Sequence, residues 1–368
     1  MIRQRAAEVF PPGEFIRDEI EARGWSQADL AEILGRPVQA INEMIAAKKA
    51  ITPETAQGLG EAFGTGAQFW LNVENTYRLS IVSSEDSGVS RRARLFEKGP
   101  IREMIRRNWV KDSNDLDTLE KSVAGFFELR SIDETPTFAF GAKKQSYDST
   151  SASQIAWCYR AKQLAESLKV TGFSPDGIVD TIKRFRTLAG SVEGVQQVPA
   201  VLAELGVRFV IVEPLKSTKI DGAAFWLDDN SPVIALSMRY DRIDNFWFVL
   251  GHELAHIKNC DQSVDVELVG TGAQPMDEKP EFERKADKMA ATLLVPAGAM
   301  KEFVSRHRPK YPRLVILGFA KKLGVHPGII VGQLQYKNEI SYSHSREMLR
   351  PVRDHIIEVA LTDGWSVK

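Results

Sequence analysis

The chain has 368 residues, a formal net charge of −1, 43% hydrophobic and 26% charged residues, a globular composition rather than a disordered or fibrous one. No stretch approaches the run of about 18 apolar residues that a transmembrane helix needs, and the opening MIRQRAAEVFPPGEF lacks the apolar core of a secretory signal. Cys158 and Cys260 lie too far apart in the chain to suggest a disulfide framework, so a reducing cytoplasm is expected; the near-zero charge neither demands nor excludes nucleic acid.

Residues 12–79 read as five short helices. PGEFIRDEIEARG carries Phe15, Ile16 and Ile20 at helical spacing and stops at Gly24. Ser26 caps SQADLAEILG, with Asp29 at the third helical position as an acidic capping box. Pro37 is expected inside the first turn of PVQAINEMIAAKK, where its missing N–H costs nothing. TPETAQGLGEAFG and AQFWLNVENTYRL follow. The second and third segments, joined by a short turn at Gly35-Arg36, have helix-turn-helix logic, which would place the third in a major groove. Gln39 and Asn42 are candidate base readers, because amides pair bidentately with adenine. Arg36, Lys48 and Lys49 are candidate phosphate contacts. Against this, residues 1–80 carry eight Lys/Arg and eleven Asp/Glu, and Glu43 sits in the proposed recognition helix, whereas a DNA-binding domain usually shows a basic footprint. The basic stretch 91–111 would supply that charge or form a solvated helix face; a helical docking module is the alternative to DNA binding.

IVSSEDSGVSRR (81–92) has the composition of a linker. Residues 99–190 read as mostly helical, without a catalytic pattern. VRFVIVEPL then reads as a strand, and GAAFWLDD and SPVIALS as a hairpin turning at Asp229-Asn230. The helix DRIDNFWFVLGHELAHIKN follows, then a Gly-, Asp- and Pro-rich loop at 261–280, a helix EFERKADKMAATLLVP, and further helices with an unclassified tail. The expected domains are 1–80, helix-turn-helix; 81–190, basic linker and helical middle region; 191–300, the part with the strands and the histidine helix; and 301–368, a helical extension.

Within LGHELAHIKN, His252 and His256 stand one helical turn apart on one face, and Glu253 is next to the first. That is the mechanical content of H-E-x-x-H: two metal ligands and a base able to take a proton from water at the metal. Leu250 and Leu254 belong to an apolar stripe, and His252 points roughly 200° from them at about 100° per residue, so the histidines are expected to face a cleft. The third ligand is expected to be Glu283, with Glu281 its competitor. Asp287, one turn on, would take a hydrogen bond from a ligating imidazole. Tyr240 and His326 are candidate oxyanion donors, and Cys260 a candidate neighbour of the metal; for each, a structural role is the plainer reading.

Both halves resemble known families. Residues 11–79, with PPGEFIRDEIEARGWSQADLA, INEMI, ITPETA and FWLNVEN, resemble the HigA-like antitoxins of the Cro/cI-type helix-turn-helix superfamily. Residues 195–300, with VIALSMRYDRIDNFWFVLGHELAHIKN and EFERKADKMAATLLVP, resemble the ImmA/IrrE metallopeptidases. The second resemblance implies metal ligands at His252, His256 and Glu283, a catalytic Glu253, and zinc, with manganese also plausible. One departure is visible: the family often has E-x-E-A-N where this chain has Glu283-Arg284-Lys285-Ala286-Asp287.

The expected fold is mainly α with a small α+β domain: a five-helix N-terminal unit, a helical middle, and a zincin-like C-terminal domain with a short sheet and an H-E-x-x-H helix. The expected function is a cytoplasmic regulator or antitoxin-type protein. It would bind operator DNA, as a homodimer because paired half-sites suit this architecture, and carry a zinc-dependent endopeptidase acting on a repressor or toxin partner, with no membrane role. The alternative is a DNA-binding antitoxin or repressor whose peptidase-like domain binds a partner or ligand without turnover.

Overall fold

The computed structural model describes residues 9–81, 88–137, 151–216, 218–259 and 280–365. The chain divides into two compact units, Met1–Ser87 and Gly88–Lys368.

The first unit contains α1 (Pro12–Arg23), α2 (Gln27–Ile33), α3 (Val38–Ile45), α4 (Pro53–Phe63) and α5 (Ala67–Ile81). Their inward faces place Ile16, Leu30, Ile41, Leu59 and Trp70 in one core. The capping box forms as expected: the Asp29 N–H donates to Ser26 Oγ at 3.2 Å, and the Ser26 N–H to Asp29 Oδ2 at 2.7 Å, closing two otherwise open donors. Pro37 departs from expectation. Its ψ of 139° is extended, so it caps α3 from outside rather than occupying the first turn, and its carbonyl takes the first helical bond from Ala40 N–H at 2.9 Å. The third helix is also shorter than PVQAINEMIAAKK suggests, because Ala47 turns left-handed at φ 57° and Arg78 reaches from α5 to hold its carbonyl at 3.1 Å.

The second unit begins with α6 (Gly88–Lys98), α7 (Ile101–Arg106), α8 (Leu116–Phe126), α9 (Ala152–Glu166), α10 (Ile178–Leu188) and α11 (Val198–Leu205). The strands β1 (Arg208–Ile211), β2 (Gly222–Trp226) and β3 (Pro232–Leu236) come next. Then follow α12 (Ile243–Lys258), α13 (Glu281–Leu294), α14 (Ala297–His307), α15 (Arg313–Leu323), α16 (Pro327–Tyr336), α17 (Arg353–Ile357) and β4 (Leu361–Thr362). The molecule is thus mainly helical with one small mixed sheet, ordered β2-β3-β1-β4. The expected hairpin is present as the antiparallel pair β2–β3, with Ala224 opposite Ile234. β1 runs parallel to both β3 and β4.

Both faces of this sheet are buried, which is why its strands read as apolar runs rather than as an alternation. Phe209, Ile211, Ala224, Ile234 and Leu236 join the core shared with α11, α12 and α16. Val210, Ala223, Phe225, Val233 and Ala235, one residue out of step, join a second core with Trp157 and Ala161 of α9 and Phe126 of α8. Apart from α10, whose Ile178 and Phe185 join the first core, the middle region, silent as to chemistry in the sequence, is therefore a cover for one face of the sheet. Trp157 pins it there, its indole N–H donating to the Val212 carbonyl at 2.8 Å.

The tail supplies β4, a two-residue strand too short to show any period. Arg107 anchors the chain just beyond it, 3.4 Å from Asp363, and donates to the carbonyls of Glu213 and Pro214 at 2.8 and 2.9 Å.

Candidate metal centre and nucleic-acid interface

α12 runs through the middle of the second unit, with β2 and β3 on one side and α13 and α16 on others. Residues on all of its faces are buried from Val249 to Ile257. The expectation that His252 and His256 face a cleft is corrected by this packing. They are 1% and 2% exposed, Glu253 is 2% and Glu283 is 0% exposed, because the side turned away from the leucines meets α13 rather than solvent.

What the packing brings together is a cluster. His252, His256 and Glu283 each offer one donor atom, all within 4.8 Å of one another. The imidazole Nε2 atoms are 3.0 Å apart. Glu283 Oε2 is 3.1 Å from His252 Nε2, and Oε1 is 3.3 Å from His256 Nε2. Donors bound at about 2.0–2.1 Å to one tetrahedral ion stand about 3.3 Å apart, so the three side chains fit a zinc-sized cation with little movement. Both Glu283 oxygens are buried with no hydrogen bond aligned to them, the condition of a carboxylate aimed at a cation rather than at a donor.

Asp287, one turn beyond Glu283, lies with Oδ1 3.0 Å from His252 Nδ1. An Nδ1–H donating to that carboxylate leaves the Nε2 lone pair turned into the cluster. The electrostatics favour positive charge here. Burial alone would favour the neutral ring, but the hydrogen bond to Asp287, the Glu283 carboxylate beside Nε2 and the charge of Glu253 outweigh it and push His252 up to about 10. Without a cation, a proton takes its place.

Glu281 lies elsewhere: its side chain is 73% exposed and pairs with Lys285 at 2.8 Å. Lys285, where the family resemblance leads one to expect a second glutamate, is on that outer face and leaves the cluster untouched. His326 caps α16, its Nδ1 accepting the Gly328 N–H at 3.1 Å, and Tyr240 lies under the Arg239 guanidinium at 4.8 Å; neither belongs to the cluster. Burial pushes the Cys158 thiol far up, making it an inert core residue. Cys260 lies outside the described residues.

Sequence reasoning missed Gly222, the first residue of β2. A Cβ there would come within 2.8 Å of Glu253 Oε1 and 2.7 Å of Val249 Cγ1. The glutamate thus lies close against bare strand backbone, and a glycine at the start of a strand is the available signal of such an approach. Gly222→Ala is expected to destabilise the protein by about 1–3 kcal/mol through overpacking, measured as a lower urea midpoint at unchanged slope. An unaltered midpoint would mean that Val249 and Glu253 move aside freely.

In the first unit, α2, a turn and α3 form the helix-turn-helix. Gln39 and Asn42 are exposed on α3, Lys48 and Lys49 are exposed just beyond it, and Arg36 is half-buried in the turn. Gln39 Nε2 donates to Glu43 Oε1 at 3.0 Å, so the acidic residue in this helix occupies one proposed reader. Part of the basic stretch 91–111 is committed within the second unit. Arg91 pairs with Asp117 and Glu120, Lys98 Nζ donates to the Glu134 carbonyl at 2.8 Å, and Arg107 holds the tail.

Comparison with known proteins gives two family matches: a helix-turn-helix over residues 16–70 and an IrrE N-terminal-like domain over residues 203–334, which spans the sheet hairpin, α12, α13 and most of α16. The chain is similar to virulence-associated protein I of Dichelobacter nodosus, 34% identical over 80 residues that cover 22% of this chain and 74% of that protein. It is also similar to the uncharacterized HTH-type transcriptional regulator YddM of Escherichia coli (strain K12), 29% identical over 84 residues, 23% of this chain and 88% of that one. Among solved structures, an addiction module antidote protein of a HigA family from Coxiella burnetii is 31% identical, covers 19% of this chain and 77% of its own, and has a TM-score of 0.19. No single described helix is long and apolar enough to cross a membrane. The chain belongs to the Cro/cI-type helix-turn-helix family through its N-terminal DNA-binding domain, and its residues 203–334 match the IrrE N-terminal-like domain of the M78 peptidases.

Proposed function

We propose that this chain is a cytoplasmic, homodimeric regulator that binds operator DNA through its first unit and cuts a repressor or toxin partner with a zinc-dependent endopeptidase in its second. The observation that carries the peptidase reading is the convergence of His252, His256 and Glu283 with Glu253 adjacent in one buried cluster. Two imidazoles and a carboxylate suit zinc and admit manganese. A divalent cation held there supplies Lewis acidity towards water and a peptide carbonyl. Glu253 takes the proton of the attacking water and delivers it to the leaving amine. Asp287 orients His252, and burial of the cluster keeps bulk water from competing for these groups.

The test uses the metal-loaded full chain with any small DNA-binding protein or toxin found encoded beside it. A single cut, blocked by a chelator and restored by zinc, is expected. A second reading, a regulator whose peptidase-like domain binds without turnover, is favoured by one observation: none of the four central residues exceeds 2% exposure. Stoichiometric zinc with no cut in any co-encoded partner decides for that reading.

For the first unit, Asn42→Ala is expected to cost about 1–3 kcal/mol of operator affinity and to relax specificity at one base. Lys48→Ala with Lys49→Ala should weaken binding to all sequences alike and reduce the salt slope by about two. Gel shifts across a salt series read both. An unchanged slope in the double variant removes those lysines from the interface.

A further inference from the structure

α12, α13 and α16 flank a cavity of about 380 Å³, within the roughly 300–1,000 Å³ of small-molecule sites. It adjoins the metal cluster through Asp287, which lines it and also contacts His252. Its walls are aromatic and aliphatic: Trp247, Phe248, Leu294, Ile329 and Tyr336. Phe248 and Tyr336 stand 6.2 Å apart, centroid to centroid, at 37°, an arrangement that offers ring faces and edges to a flat ligand.

The charge around this cavity is unbalanced. Two carboxylates line it, and both are committed. Asp287 is held at His252. Asp244 pairs with Arg242, whose Nε donates to it at 3.0 Å, and it rests against α16 where a Cβ on Gly332 would be 2.3 Å from Oδ2. Three further lining cations, Arg284, Lys288 and Lys337, are exposed, and none forms an ion pair among the described residues. The uncommitted field is therefore positive. Trp247 adds a donor: its indole N–H is buried and has no acceptor among the described residues, an unsatisfied state that an acceptor on a ligand would relieve.

The geometry points to a binding site for a small planar aromatic acid, its ring against Phe248 and Tyr336 and its carboxylate towards Arg284, Lys288 and Lys337. The site is an effector pocket of the second unit, and it stands whether or not the neighbouring cluster turns over a substrate.

Calorimetric titration of the full chain with 2-naphthoate and with its neutral counterpart 2-naphthamide tests this. Saturable binding of one naphthoate is expected, with the amide at least tenfold weaker. Ala291→Trp, which fills the cavity from α13, should abolish binding. Arg284→Ala with Lys288→Ala, both at exposed positions, should weaken it at least fivefold; this double variant decides alone if the tryptophan variant does not fold by circular dichroism. The absence of saturable binding at millimolar naphthoate, equal affinity for acid and amide, or wild-type affinity in the double variant each overturns the proposal.

Discussion

Replacing Glu253 by glutamine is expected to lower partner cleavage by about 10²–10⁴-fold, the usual contribution of a positioned general base, while bound zinc stays at the wild-type level. The substitution keeps the shape of the side chain, so its close approach to Gly222 is preserved and the fold should hold. It removes the group that takes and returns a proton, but not His252, His256 or Glu283. Metal content by elemental analysis, beside initial cleavage rates, separates the two roles. An unreduced rate at full metal loading would sink the assignment of Glu253 as the base. Operator binding by the same variant should be unchanged, which provides an internal control for folding.

Zinc added to the metal-free protein is expected to raise its unfolding free energy by about 4 kcal/mol at a thousandfold excess over the dissociation constant. At a fixed zinc concentration the gain should grow between pH 6 and pH 9. The sign follows from His252, whose pKa rises in the folded metal-free protein from 6.5 to about 10. A raised pKa stabilises the fold fully below the unfolded value, and that contribution disappears as pH climbs through the folded value. Protons and zinc compete for the same lone pair. As pH rises the metal-free protein therefore loses its proton-held stability, while the zinc-loaded protein does not. Thermal or urea unfolding with and without zinc across this window measures the difference. Glu283→Ala, which removes the third donor, should largely erase the gain. A gain that is flat with pH, or retained in that variant, would place the zinc elsewhere.

Much of the candidate centre was legible because its first half is local. The four-residue spacing of His252 and His256 places them one turn apart on any α-helix, whatever packs around it. Glu283 was harder. Glu281 and Glu283 share a helix, and two residues at about 100° each put them roughly 200° apart. The sequence admits either, and packing against α12 turns Glu283 inwards while leaving Glu281 to pair with Lys285 in solvent. Gly222 shows the limit from the other side: a strand-start glycine is visible, but the atom that needs its bareness lies on another element.

By itself the sequence determined the features set within a turn or two of backbone: the Ser26–Asp29 capping box, the helix-turn-helix spacing, the hairpin around Asp229-Asn230, and two histidines on one helical face. Tertiary structure alone decided the parallel pairing of β1 with β3 and β4, the use of the basic stretch to hold the C-terminal tail, and the burial of α12 on all sides. The physical reason is range. Capping, periodicity and turn chemistry act between neighbours and leave a pattern in the chain. Contacts between distant segments depend on which surfaces meet when the core closes, and those pairings leave no local period to read.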